Sequence, residues 1–325
     1  MIDSMKRREL LKLAGIGGVV FASGLAGFAA RAVASGIAPR MLPAAIGTAP
    51  TVGEDFFFIQ MSDSHWGYSG PANLDAQGTL PKAVEAINQL SVMPDFIIFT
   101  GDLTHNTDDP FERRRRLREF QQIVGKLKVK TLHLMPGEHD AGLDGGDAYR
   151  EIFGPTHYTF DHKGVHFIAL DNVSDPRGMG AAHLARLKTH LDTLDRSAQI
   201  VVFSHRPLFD LFPAWEWATR DGMQAIDLLM PFEKVTVFYG HIHQENHHMT
   251  GHIAHHSAKS LIFPLPAPGS KPKPKPADWD AAHPYRGLGF RGIKDQSATA
   301  AVELSEYGVA GNTIGANSAP GGGPA

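Results

Sequence analysis

The sequence predicts an α/β domain, and three observations predict it. Five short apolar runs read as buried strands, helical patterns separate most of them, and each run gives way to polar residues at its C-terminal end. With 325 residues, 42% hydrophobic and 20% charged, the chain can bury the core of one globular domain, or at most two.

Taken in order, the chain begins with "KRRELLK" (6–12), a glycine-rich apolar run (13–30) and the small residues "AVA" (32–34). This resembles a twin-arginine export signal cleaved near Ala34. The alternative is a membrane anchor, but the run is short and dilute in Leu and Ile. The resemblance implies the twin-arginine export machinery as a partner, a periplasmic or secreted mature chain, and no stable membrane span in it. Residues 35–53 read as a linker, 54–305 as the domain and 306–325 as a disordered tail.

The strands are "DFFFIQMSD" (55–63), "DFIIFTGD" (95–102), "KTLHLMPG" (130–137), "QIVVFSH" (199–205) and "KVTVFYGH" (234–241). A helix over 108–127 opens with Asp109 as N-cap, Pro110 in the first turn and Glu112 at the capping-box position, and its four consecutive arginines read as a solvated face. Further helices are expected over 180–194 and 221–230, and a hairpin over 158–172 turning at Lys163-Gly164.

Net charge is −3. The first 34 residues carry Lys6, Arg7, Arg8, Lys12 and Arg31 against Asp3 and Glu9, so the remainder is more acidic still, which argues against general nucleic-acid binding. The chain has no cysteine, which excludes disulfides, thiolate metal sites and cysteine nucleophiles.

The strand ends carry the chemistry. Asp63, His65, Asp102, Glu138, His139, His205, His241 and His243 all follow apolar runs, and in open α/β sheets ligands gather beyond the carboxyl ends of strands. Carboxylates with imidazoles suit Mn, Fe or Zn better than Ca or Mg alone.

In order and spacing, "DSH" (63–65), "GD" (101–102), "GEHD" (137–140), "SH" (204–205) and "GHIH" (240–243) resemble the five blocks of the calcineurin-like metallophosphoesterases. The resemblance implies a four-layer α/β/β/α sandwich of two mixed sheets, with a dinuclear metal centre at one edge. It implies that Asp63, His65 and His243 hold one metal, that His205 and His241 hold the other, and that Asp102 bridges them. It implies a phosphohydrolase acting on a phosphomonoester or phosphodiester, a small molecule or nucleotide, through a metal-bridging hydroxide. His139 would stabilise the transferring phosphoryl group or protonate the leaving oxygen, with Asp140 as its orienting partner.

Glu138 departs from the family pattern, where an Asn gives its amide oxygen to the second metal. A third carboxylate lowers the Lewis acidity of two divalent ions, so iron as Fe(III), paired with Mn, Zn or a second Fe, would restore the balance. A Glu138 that swings away or fills the second site would leave a mononuclear centre, and a detuned cluster would make a non-catalytic metal-binding or sensory protein. His105, three residues after Asp102, either reaches the metal or lines the mouth. In the related purple acid phosphatases a tyrosine at that spacing ligates ferric iron.

Three other stretches stand out. The tract "HQENHHMTGHIAHH" (243–256) reads as a hairpin with histidines on its faces, with a separate metal site as the alternative, "PLPAPGSKPKPKP" (264–276) as a surface polyproline excursion, and "HRPLFDLFPAWEW" (205–217) as a packed aromatic loop.

Overall fold

The computed structural model describes residues 19–22, 55–175, 178–296 and 301–309. The expected export signal and linker lie outside the described residues, except for Val19–Ala22.

The strands run in chain order as β1 (Val19–Ala22), β2 (Phe56–Met61), β3 (Phe96–Thr100), β4 (Leu132–Met135), β5 (Tyr158–His162), β6 (Val165–Ala169), β7 (Gln199–Phe203), β8 (Lys234–Tyr239), β9 (Asn246–Thr250), β10 (Ile253–Ser257), β11 (Gly289–Gln296) and β12 (Ala301–Gly308). One sheet has the order β1-β12-β11-β2-β3-β4 and the other β5-β6-β7-β8-β10-β9. In the first, β2, β3 and β4 are parallel and β11 joins them antiparallel; in the second, β6, β7, β8 and β10 are parallel between antiparallel edges. Both sheets are mixed, as expected.

The helices are α1 (Ala76–Asn88), α2 (Pro110–Val124), α3 (Glu138–Ala141), α4 (Asp147–Phe153), α5 (Gly180–Leu191) and α6 (Gly222–Leu229). Three apolar clusters separate the layers. Leu80, Val84 and Ile87 of α1 and Phe120 of α2 pack on Ile59, Ile97 and Phe99; Leu187 of α5 and Ile226 of α6 pack on Ile168, Val202 and Val237. Phe58, Phe96, Phe167, Phe203 and Phe238 fill the space between the sheets. There Phe58 stacks on Phe96 at 4.9 Å, and Phe167 meets Phe96 edge-on at 5.3 Å. Burying each of these rings stabilises the sandwich by about 1.5–3 kcal/mol. This is the expected α/β/β/α arrangement.

Three local expectations need correction, and two features were not foreseen. Asp109 caps α2 through the amides of Phe111 and Glu112, but Glu112 turns to Arg115 and Arg116 and leaves the capping box open. The arginine run is only half a solvated face. Arg114 and Arg115 pair with surface carboxylates, while buried Arg113 donates to Asp144 and the Thr107 carbonyl, and Arg116 donates to the carbonyls of His105 and Asn106. Helix α1 and the β11–β12 pair were not foreseen. β12 runs to Gly308, past the expected boundary at 305, because Val302 and Leu304 alternate inward along it and close the inter-sheet core.

Candidate metal centre

The parallel direction of β2, β3, β4, β7 and β8 sends their carboxyl ends to one edge of the sandwich, where the loops after them converge. Backbone bonds tie these loops together: the Asp63 amide donates to the Gly101 carbonyl at 3.0 Å, His65 to Asp102 at 2.9 Å, and Gly240 to His205 at 2.9 Å. Gln60 Nε2 crosses from one sheet to the other and donates to the Tyr239 carbonyl at 3.0 Å.

The backbone at this edge is unusual. Asp63, His65, Asp102, His241 and His243 have φ between 42° and 67°, a left-handed conformation uncommon outside glycine and concentrated at functional sites. Two glycines explain their place in the sequence blocks. A Cβ on Gly137 would stand 2.0 Å from Asp102 Oδ1, and one on Gly240 would stand 2.1 Å from Ser62 Oγ and 2.8 Å from Asp63 Oδ2.

Two half-sites share a centre. In one, His243 Nε2 lies 3.4 Å from Asp63 Oδ1 and 3.2 Å from His65 Nε2. In the other, His205 Nε2 lies 2.8 Å from Glu138 Oε2, and His241 Nδ1 lies 2.8 Å from Glu138 Oε1. Asp102 stands between them, its Oδ2 3.3 Å from His65 Nε2 and 3.4 Å from His205 Nε2. Its Oδ1 is occupied by the backbone amide of His139 at 3.0 Å.

The outward nitrogens of the four imidazoles are anchored. His205 Nδ1 donates to the Thr100 carbonyl at 2.6 Å, His243 Nδ1 to Phe263 at 2.8 Å and His241 Nε2 to Glu216 at 3.2 Å. A carbonyl can only accept, so each bond puts a proton on the outward nitrogen and leaves the inward nitrogen as the one that faces the centre. His65 differs: its Nδ1 meets His105 Nδ1 at 3.2 Å. His105 therefore sits behind His65, on the side away from Asp102, and takes the place that carbonyls take for the others. Burial, then the neighbouring His139, lowers His105 to about 4, so it is a neutral acceptor near pH 7.

The charges match this picture. Burial, with His139 and His243 nearby, holds His65 well below the ordinary histidine value. Burial opposes the charged forms of His205 and His243 as well, but Asp102 and Glu138 raise His205 well above its ordinary value and Asp63 raises His243. Burial would likewise raise Glu138 and Asp63; His241 and His205 hold Glu138 well below the usual carboxylate range, and His243 lowers Asp63. Protons on these imidazoles balance the carboxylates where cations would otherwise do so.

The donor set fits metal ions. Glu138 Oε2 and His205 Nε2 are buried 2.8 Å apart as an imidazolium–carboxylate pair, and a cation that displaced the proton could take both atoms as ligands. Residues that could hold a metal group as Asp63, His65 and His243, as Glu138, His205 and His241, as His65, His105 and His139, and as sets that include Asp102. Glu138 points into the second half-site with both oxygens and does not swing away.

Other expectations fare differently. Asp140 does not orient His139. It is buried, and its oxygens accept from the amides of Gly137, Leu103 and Thr104 and from the Thr104 hydroxyl at 2.8–2.9 Å, so it clamps two of the loops together. Burial and the nearby Asp102 raise it to about 7 against these four donors. The His139 ring instead accepts from the Asn106 amide at Nδ1, 3.2 Å away, which leaves its proton on Nε2, 4.0 Å from Asp102 Oδ2. In the histidine tract, β9 and β10 pair His247 with His256 and His248 with His255, on opposite faces, and no metal-holding group among the described residues includes them. Phe209, Trp215 and Trp217 are buried in the packed loop.

Sequence reasoning missed the residues that act through the backbone. Asn172 accepts from the amides of His205 and Arg206 and donates to the Arg206 carbonyl. Arg116 holds the loop carrying His105 and Asn106. Arg206, between His205 and Pro207, brings Nε to 3.6 Å from Glu138 Oε2. Only the position of Arg206 beside a candidate ligand could have flagged it.

The profile of the family described as calcineurin-like phosphoesterase matches residues 58–245. The serine/threonine-protein phosphatase CPPED1 of Mus musculus is 26% identical over 179 residues, 47% of this chain and 57% of the relative; that of Danio rerio is 28% identical over 219 residues, 58% and 70%. The chain thus spans little more than half the length of the mouse relative. A dimetal phosphatase from Danio rerio superposes with a TM-score of 0.53 at 14% identity, covering 78% of this chain and 95% of that one. GAP50, the anchor in the inner membrane complex of Plasmodium, does so with 0.53 at 15%, covering 80% and 87%. These two share the fold. With the profile spanning more than half of the sequence and all five blocks meeting at one edge, the chain belongs to the calcineurin-like phosphoesterase family.

Proposed function

We propose that the protein is a metal-dependent phosphohydrolase that cleaves a phosphomonoester or phosphodiester at a two-ion centre, exported by the twin-arginine route to the periplasm. The observation that carries the reading is the position of Asp102, whose Oδ2 faces a histidine of each half-site at 3.3 and 3.4 Å. Asp63, His65 and His243 would hold one ion, and Glu138, His205 and His241 the other. When bound, two such ions supply an activated water and a positive field on the phosphoryl oxygens.

The remaining work falls to the chain. Asp102 fixes the separation of the half-sites, because its second oxygen is tied to the His139 amide. His139, with its proton on Nε2, donates to the leaving oxygen as the ester bond breaks. Asp140 and Asn172 keep the loops from relaxing as charge moves.

The test is turnover of p-nitrophenyl phosphate and bis(p-nitrophenyl) phosphate by metal-loaded protein. Hydrolysis of either, abolished by a chelator and restored by metal, supports the reading. Full loading without hydrolysis would return the chain to the non-catalytic, metal-sensing alternative.

A further inference from the structure

Glu138 places a carboxylate where the family pattern has a neutral amide, and with Asp63 and Asp102 it makes three at one centre. The structure places a cation against it. Arg206 Nε lies 3.6 Å from Glu138 Oε2 and is buried without a hydrogen-bond partner, and His205 Nε2 lies 2.8 Å from the same oxygen. Glu138 Oε2 thus faces an imidazole and a guanidinium at once. The guanidinium reaches outward too, its Nη2 3.7 Å from Glu216 Oε2, but that carboxylate is 78% exposed and solvent screens it.

The position of Arg206 is fixed from behind. Asn172 Oδ1 accepts its amide at 3.3 Å, and Asn172 Nδ2 and Ser204 Oγ donate to its carbonyl at 2.8 and 3.0 Å. The adjoining Pro207 is held at its carbonyl by the Thr219 hydroxyl at 2.8 Å. The side chain therefore leaves a backbone bound on both sides, from a position next to ligand His205.

We propose that Arg206 is the built-in counter-charge of Glu138, so that the pair stands in for a neutral amide and sets the second half-site for a divalent ion rather than a trivalent one. An arginine keeps its charge throughout the working pH range, and its planar, weakly hydrated head suits a partly buried place beside a carboxylate. The pair leaves the net charge of the centre where an amide would have left it. A ferric ion is then not needed to balance Glu138, contrary to what the sequence alone leads one to expect. Arg206 is in this sense a specificity-determining residue for the ion, acting through Glu138. The inference rests on the two-ion reading of the centre.

The test measures binding of Zn(II), and of Ga(III) as a redox-inert trivalent ion, to the second half-site of the full chain. Calorimetry and metal counting are applied to the parent, Arg206→Gln, Arg206→Lys, Glu138→Asn and the double variant Glu138→Asn/Arg206→Gln. Arg206→Gln removes a repulsion, so it should bind Zn(II) about tenfold more tightly and Ga(III) more tightly still, because Coulomb energy scales with ionic charge. Arg206→Lys should stay within about threefold of the parent, and Glu138→Asn should weaken Zn(II) by about tenfold or more. The double variant should return to within about threefold of the parent. Unchanged or weaker ion binding in Arg206→Gln, with two Zn(II) still bound to the parent, would overturn the role of Arg206 alone. A double variant as weak as Glu138→Asn would do the same. A parent that binds no metal would remove the two-ion reading, and this inference with it.

Discussion

Asp102 presents a single free oxygen to His205: Oδ2 stands 3.4 Å from His205 Nε2, while Oδ1 is engaged by the His139 amide at 3.0 Å. The same Oδ2 lies 3.3 Å from His65 Nε2, so one atom serves both half-sites. An amide at this position has no good orientation. If its oxygen meets the His139 N–H, its NH₂ faces both half-sites; if it turns over, donor meets donor.

Asp102→Asn is therefore expected to lose the ions from both half-sites together and to reduce phosphatase activity by at least about 10²-fold. The fold should persist, since the apolar clusters are untouched. Metal counting by mass spectrometry beside a circular dichroism melt checks this, and full activity with two ions bound would refute the bridging role.

His105 gives a second prediction. Its Nδ1 is 3.2 Å from His65 Nδ1, the nitrogen turned away from Asp102. Loss of such an outer partner weakens metal binding by about 10–100-fold, so His105→Ala should weaken the first ion to that degree and leave the second unchanged. The number of coordinated imidazoles, counted by pulsed electron paramagnetic resonance of the Mn- or Cu-loaded protein, should stay the same. A count lower by one would make His105 a ligand.

Much of this was legible in the sequence because it is local. Asp109-Pro110 gave the start of α2, Lys163-Gly164 gave the turn between β5 and β6 with φ of 47° and 85°, and the polar residues after each apolar run marked the edge of the sandwich. Helix α1 was hidden by Gly78 and Pro81 inside it. The alternation of Val302 and Leu304 along β12 was a readable signal that the glycine-rich segment after it obscured. Arg116, Asn172 and Arg206 were not legible, since each bonds or faces groups on loops brought close only by the fold. The pairing of Asp140 with His139 failed for the opposite reason: adjacency in sequence is not contact in space, and the Asp140 oxygens were already taken by three amides and a hydroxyl.

The role of His139 is checked through the leaving group. Alkyl phosphates need a proton on the departing oxygen, whereas p-nitrophenolate departs without one. His139→Ala should slow an alkyl phosphate by about 10²–10⁴-fold and the activated aryl ester far less. Equal losses in kcat for both esters would instead make His139 a binding residue.

Protons and ions compete for the same nitrogens. His205 and His243 have raised pKa values in the metal-free chain, held up by Asp102, Glu138 and Asp63 against burial, so they stay protonated to higher pH than an ordinary histidine. An ion requires them neutral, so affinity should rise with pH through their titration and fall below it, with about one proton released per half-site. Isothermal titration in buffers of different ionisation enthalpy counts those protons. No proton release near pH 7 would contradict the charge balance described for the centre.

The most direct test of the account is a metal titration of the metal-free protein followed by hydrolysis of p-nitrophenyl phosphate at each step. The account predicts that the first equivalent leaves the protein nearly inactive, that activity rises with the second, and that it levels off at two ions per chain. Activity that saturates at one equivalent, or two bound ions without turnover, would contradict it.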